Sequence, residues 1–257
     1  MTDHNRSSGG NGPPASLVGG NPVGMTATGA VILAAGSGSR LGGVAKALLR
    51  HRGTSYLEAI ATTARAVGLV DAVVVVGPPF GHDVAAHARQ LGLRVRVNPA
   101  PQRGMASSVA LGFAAIANGP AAAAWLWPVD HPAVTEATLR KLIDALEAAE
   151  ASDVPGAFAQ FPGGSGGSAP GCGLVPGIGF PGGSGGSAPG CAQPRHRGAG
   201  GHPPLIHRAL WPALAACADA VDGARGVLRA ARAVAVDVDD PAVVRDIDTP
   251  ADLEAGA

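Results

Sequence analysis

Three runs of uninterrupted apolar residues leave this chain few architectures: Ala30–Ala34 (AVILA), Ala72–Val76 (AVVVV) and Ala122–Val129 (AAAWLWPV). A strand with one wet face alternates apolar and polar residues, whereas a run without alternation is covered on both faces. Helical patterns separate these runs. Ser55–Val67 opens with Ser55 and Glu58 at capping-box spacing and stops at Gly68. Asp83–Leu91 is closed by Gly92, Ser107–Ala117 ends in Asn118-Gly119, and Thr135–Ala149 forms another helix, with a strand over Arg94–Asn98. Buried strands alternating with helices predict a three-layer α/β fold with a mostly parallel sheet.

At 257 residues the chain suits one large domain with tails, and its 46% of hydrophobic residues supplies a sizeable core. The 39 glycines and 22 prolines exceed what such a domain needs, and they cluster. Residues 1–28 read as a disordered tail, which leaves 29–257 as the domain. Phe161–Cys172 and Phe180–Cys191 are identical copies of FPGGSGGSAPGC, so a flexible, duplicated insertion is expected over about 161–193. Sheet-like order resumes at Ala233–Val238, and a last short helix follows Thr249-Pro250. The helical pattern over Leu205–Ala218 contains Pro212 and should break or kink at Trp211. Lys plus Arg and Asp plus Glu are both 19, which gives no charge surplus to hold nucleic acid. No apolar run approaches a membrane span, and the N-terminus lacks a secretory core. Three cysteines, two of them in the repeat, fit a reducing, cytoplasmic setting.

The segment from Ala30 to Leu49, AVILAAGSGSRLGGVAKALL, runs from a buried strand into a loop with four glycines and only two charges, Arg40 and Lys46. Glycines let backbone N–H groups approach an anion, and the two cations neutralise phosphate oxygens. A dinucleotide fingerprint would need glycine at Leu41 and an acid at the end of the second strand, which instead ends in Val76-Gly77. A Walker loop would need Gly-Lys-Ser/Thr, but Lys46 sits between alanines. The loop instead resembles the LAAG…R-x-G…K signature of the MobA/MocA-like nucleotidyltransferases. That resemblance extends from about Gly29 to Glu254, apart from the insertion, and implies their Rossmann-like three-layer nucleotidyltransferase fold. It puts Leu33, Ala34, Ala35 and Gly36 along the base and ribose of a nucleoside triphosphate, and Arg40 and Lys46 on its phosphates. An ordinary strand-turn-helix corner with surface cations is the alternative.

Further segments follow in the order the family predicts. NPAPQRGMASSVALGF, Asn98 to Phe113, resembles its NP…GM-x-SS segment; related cytidylyltransferases place a serine on the base where Ser108 falls, while Ser107 reads as a helix cap. WLWPVDHP, Trp125 to Pro132, resembles the D-x-P metal motif. Its Asp130, just past a strand end, offers the hard oxygen that Mg²⁺ requires; a turn aspartate is the plainer reading. His131 fills the variable position of that motif without an assigned role. RDIDTPADL, Arg245 to Leu253, resembles the closing D-x-D-T-P-x-D-L, which makes Asp248 the second metal ligand, Asp246 the alternate, and support of the adjacent helix N-terminus the competing role. GHPP at Gly201–Pro204 resembles an acceptor-side G-H-P, with His202 either on an acceptor phosphate or without a role. Arg225 in GARGVLRA would face an anion. A zinc set of Cys172, Cys191, His196 and His202 lacks the close spacing of real sites.

The resemblance implies a Mg²⁺-dependent transfer of a nucleoside monophosphate, CMP from CTP, to a phosphorylated small-molecule acceptor, with pyrophosphate leaving. Molybdopterin is the acceptor suggested by the GM-x-SS and GHP segments, a sugar or alditol phosphate the alternative, and a non-catalytic nucleotide-binding or scaffold protein the alternative of another class. The sequence does not separate CTP from GTP or ATP.

Overall fold

The computed structural model describes residues 27–51, 53–151 and 190–247, together with Asp252. After β1 (Thr28–Ala34) a short antiparallel ribbon, β2 (Arg50–His51) and β3 (Thr54–Ser55), leads into α1 (Tyr56–Ala66). Then come β4 (Leu69–Val76), α2 (Gly81–Gln90), β5 (Arg94–Val97), α3 (Met105–Ile116), β6 (Ala123–Pro128) and α4 (Glu136–Ala151). The second part contains β7 (Cys191–His196), β8 (Ala199–Gly200), β9 (Leu205–His207), α5 (Trp211–Ala215), α6 (Gly223–Ala230) and β10 (Ala233–Asp237).

One eight-stranded sheet runs in the order β10-β7-β9-β6-β1-β4-β5, with β8 paired to β7. β1 lies parallel to β4 and β6, β4 parallel to β5, and β7 parallel to β10; β9 is antiparallel to both β6 and β7. The unbroken apolar runs are explained by two cores. Ala30, Ile32 and Ala34 of β1 face one side, with Leu57 and Ile60 of α1, Val84 of α2, and Leu139 and Leu142 of α4. Val31 and Leu33 face the other, with Val109 and Phe113 of α3 and Trp211 and Leu214 of α5. The predicted three-layer, mostly parallel α/β fold is what the chain adopts. No helix among the described residues is long and apolar enough to cross a membrane.

Local predictions hold where the signal is local. Ser55 Oγ accepts from Glu58 N at 3.1 Å while Ser55 N donates to the Glu58 carboxylate at 3.5 Å, closing the capping box. Several boundaries need correction. Thr28, assigned to the tail, is a fully buried residue of β1. Cys191, assigned with 192 and 193 to the insertion, opens the buried strand β7, and Gly190 before it donates to Arg232 O at 2.8 Å. The rest of the duplicated insertion lies outside the described residues, as do residues 1–26 and, apart from the helical Asp252, the helix expected after Thr249-Pro250. Helix α2 starts two residues earlier than expected. The expected helix over Leu205–Ala218 begins only at Trp211, with Pro212 in its first turn where no amide donor is needed. Leu205–His207 instead fills the gap between β6 and β7, where three residues complete two ladders.

Candidate active site

From β1 the chain steps outward to β4 and β5, then returns to lay β6 on the opposite side of β1. The loops leaving β1 and β6 therefore diverge, and the crevice at their carboxyl ends is where open α/β sheets bind ligands. A cleft of about 370 Å³ occupies that position. Leu33 and Ala34 line it from the end of β1, Ala35, Gly36 and Lys46 from the loop that follows, Ser108 from α3, and Asp130 from just past the end of β6. Seven of the residues singled out in the sequence thus share one cavity. Arg40 sits in the single helical turn Ser39–Leu41, but its side chain lies outside the described structure, and so does Asp248. The loop folds back on itself at Gly38, whose φ is 58° and whose carbonyl accepts from Leu41 N and Gly43 N. A Cβ at Gly38 would stand 2.0 Å from Val44 O, so only glycine closes this turn. At Gly36 a Cβ would meet nothing within 4 Å; the missing side chain there leaves backbone open to the cleft.

Asp130 is fixed by backbone bonds on both sides. Val129 N donates to Leu33 O at 3.1 Å, and Ile247 N donates to Asp130 O at 3.1 Å. Its carboxylate is less completely used. Lys46 Nζ lies 3.4 Å from Oδ2, a long ion pair, with both side chains partly buried. Oδ1 is buried and accepts no hydrogen bond from the described residues. His131 Nε2 is the nearby group, at 3.9 Å from Oδ1.

On the far wall, Asn98 organises both serines. Its Nδ2 donates to Ser107 Oγ at 2.8 Å and Ser108 Oγ at 2.9 Å, and its Oδ1 accepts from Ala100 N at 3.0 Å. Ser107 does not cap α3: the helix starts at Met105, Gly104 is its N-cap, and Ser107 Oγ instead donates back to Gly104 O at 2.7 Å. Both serines are buried. Asn98 thus positions both serines, and its only mark in the sequence is its place before Pro99.

The sequence model of the MobA-like NTP transferase domain matches residues 30–236. The chain belongs to this family. It is 44% identical, over 91 residues, to the bifunctional IPC transferase and DIPP synthase of Rubrobacter xylanophilus, a match covering 34% of this chain and 21% of that protein, so the chain spans about a fifth of that relative's length. Its fold resembles Rv0371c of Mycobacterium tuberculosis H37Rv with a TM-score of 0.60 and 25% identity, covering 90% of this chain and 97% of that one. A complex of the Mycobacterium protein with manganese aligns with a TM-score of 0.54 at 23% identity, over 90% and 97% of the two chains. CMP:2-keto-3-deoxy-manno-octonic acid synthetase complexed with CTP aligns with a TM-score of 0.58 at 14% identity, over 90% and 96%.

In this MobA-like domain the remaining candidates stand outside the cleft lining. His202 packs beside His131, ring centroids 5.1 Å apart, and its backbone N donates to Val243 O at 2.7 Å. Burial and then the neighbouring His131 push the His202 imidazole down to about 4, against the opposing pull of Asp130 and Asp246, so the ring is neutral at pH 7. His131 is buried, and its Nδ1 lies 3.1 Å from Ala242 O. Arg225 is exposed on α6, whose start packs closely on α3: a Cβ at Gly223 would stand 2.8 Å from Ala106 Cβ. Among the described residues, Cys191, His196 and His202 do not converge as a metal set. Cys191 is buried in β7 with its thiol pushed up to about 12 by burial, and Cys172 lies outside the described residues. Among the described residues no three metal-ligating side chains converge.

Proposed function

We propose that this protein transfers CMP from CTP to a phosphorylated small-molecule acceptor, releasing pyrophosphate. The observation that carries the reading is Asp130: a carboxylate at the switch-point cleft with one oxygen on Lys46 and the other buried without a donor among the described residues. An ionised oxygen in that state is costly unless a cation or a donor arrives to meet it. The donor set fits a hard divalent ion such as Mg²⁺, which binds through one or two carboxylates plus substrate phosphates. Asp130 would hold it, with Asp248 as the second carboxylate in keeping with the family resemblance. When bound, such an ion neutralises charge on the α-phosphate and the acceptor oxygen.

The chain's own residues account for the rest. Lys46, already at the mouth of the first loop, meets the β- and γ-phosphates together with Arg40. The open backbone at Gly36 admits the nucleotide close to the loop amides. Ser108 accepts from Asn98, so its hydroxyl proton is the group it presents to an acceptor atom of the base. An acceptor phosphate oxygen attacks the α-phosphorus in line; the new P–O bond forms as the bond to pyrophosphate breaks, and the electron pair leaves with pyrophosphate. Such transfers depend on positioning and charge neutralisation rather than a protein nucleophile. The CTP-bound protein of the same fold supports the choice of base, and the manganese-bound relative supports a divalent ion. Molybdopterin and sugar or alditol phosphates are the acceptors to compare.

The test is pyrophosphate release from CTP with these acceptors, for the wild type and Asp130→Asn, with circular dichroism alongside. Asp130→Asn keeps the shape, removes the charge, and should lower turnover by roughly a hundredfold or more while the fold survives. A folded variant with near-wild-type turnover would remove Asp130 from the mechanism.

A further inference from the structure

We infer that His131 is a second ligand beside Asp130, and that its Nε2 nitrogen makes the metal site prefer Mn²⁺-like ions over Mg²⁺. The inference rests on the reading of Asp130 as a metal ligand. Its starting point is the hydrogen bond at the other end of the ring. Ala242 O, 3.1 Å from His131 Nδ1, can only accept, so the neutral imidazole carries its proton on Nδ1 and turns a bare lone pair outward at Nε2. Facing it at 3.9 Å is Asp130 Oδ1, buried and without a donor among the described residues. Two lone-pair atoms therefore confront each other across a gap too long for a hydrogen bond. A positive centre between them satisfies both.

A shared ion asks for a modest approach of the two atoms: ligands about 2.1 Å from one metal lie about 3 Å apart at a right angle, so a movement of about 1 Å closes the 3.9 Å gap around it. The ring is also held in place for the task. Trp127 Nε1 donates to His131 O at 2.9 Å, His202 packs against one face, and the Ala242 carbonyl fixes the tautomer in the manner common to metal-bound histidines. An imidazole nitrogen is a poor partner for Mg²⁺, which favours oxygen, and a good one for later divalent ions. This assigns a purpose to the residue between the aspartate and proline of the metal motif.

The experiment uses the full chain labelled with ¹⁵N at histidine, loaded with Mn²⁺ and CTP, and read by pulsed electron paramagnetic resonance for nitrogen coupling to the metal. His131→Asn is the informative variant, because the asparagine amide can still donate to Ala242 O while nothing remains at the Nε2 position. His131→Gln is its partner, placing an oxygen near Nε2, and serves if the asparagine variant does not fold. Coupling is expected in the wild type and in His202→Gln and should vanish in both His131 variants. The preference for Mn²⁺ over Mg²⁺ in titrations should fall roughly tenfold in His131→Asn. If Mn²⁺ binding is lost in Asp130→Asn but the wild type shows no nitrogen coupling, or coupling persists without His131, the histidine is not a ligand and only this inference falls. If Mn²⁺ binds equally well to Asp130→Asn, the metal is elsewhere and the reading of Asp130 falls with it.

Discussion

Asp240 ties the second half of the chain to the first, and replacing it with asparagine should cost more stability than any change at the cleft rim. Its Oδ2 accepts from Thr135 N at 3.0 Å, Thr135 Oγ1 at 2.9 Å and Thr138 Oγ1 at 2.7 Å, and its Oδ1 from Ala242 N at 3.0 Å. The residue is buried, which alone would raise its carboxyl pKa; the bonds from Thr135, Thr138 and Ala242 outweigh burial and hold it below the usual value. Asparagine keeps the shape, loses the charge that strengthens three bonds, and turns an NH₂ against a fourth donor. Bonds to charged groups contribute about 1.5–3 kcal/mol each but are far from additive around one acceptor, so a loss of about 2–3 kcal/mol is expected. For a domain of this size that corresponds to roughly 5–10 °C in Tm. The pH dependence carries the diagnostic sign. A carboxyl whose folded pKa is depressed stabilises the fold fully above its unfolded pKa, and the contribution is lost as pH falls through the folded value. Thermal melts of wild type and Asp240→Asn should therefore differ by a constant gap from pH 7 down to about 4, the unfolded carboxyl value, and converge below it. A gap under about 2 °C at neutral pH, smaller than 1 kcal/mol is worth here, would refute the network argument. So would a gap that persists in acid while both proteins remain folded.

Replacing residues 163–189 by a short Gly-Ser linker should leave Tm almost unchanged, because a Gly, Ser and Pro repeat cannot form a core and loop length adds closure entropy only slowly. Gly190 must be kept, since a Cβ there would already stand 2.9 Å from Leu210; a large loss of stability in the shortened protein would show that the repeat packs. Gly112→Ala should destabilise by about 1–3 kcal/mol, because overpacking a filled core forces its neighbours to move. Its Cβ would lie 2.2 Å from Val31 Cγ1 and 3.2 Å from Val75 Cγ2 between α3 and the sheet. Adding Val31→Ala should recover part of that loss in urea melts, and no recovery would mean the clash is relieved elsewhere.

The parts of this fold that were legible in the sequence are those whose cause is local. A run such as AVVVV is buried on both faces whatever it packs against, and Ser55 with Glu58 caps a helix across three residues. The first-loop residues were legible for the same reason: strand, glycines and cations are contiguous. Leu205–His207 was misread because three residues carry no period, and their strand state comes from two ladders made by β6 and β7. Ser107 looked like a cap because its partner Asn98, which claims it as a buried acceptor, comes from another element. His131 gave no signal because its meaning depends on a carbonyl of Ala242 far along the chain.

Asp130 shows how the two kinds of information meet. Its backbone is fastened from separate directions, to β1 through the neighbouring Val129 N and to the C-terminal segment through Ile247 N, while its side chain keeps an oxygen that no described residue serves. In a region built only for stability this would be a defect, since an unserved buried acceptor costs about 1–3 kcal/mol and a substitution could remove it. A rigid backbone holding an unsatisfied carboxylate is instead what a binding site requires: the cost of ordering the ligand group is met by folding, and under the proposed function the missing partner arrives with the substrate. The same logic accounts for Lys46. Its long contact to Oδ2 moderates the buried charge without filling the Oδ1 side, so the cation nearest the carboxylate leaves room for another. Ligand binding should then relieve the very strain that marks the site, and the loop after β1, the end of β6 and the segment around Ile247 should stiffen together around that one residue.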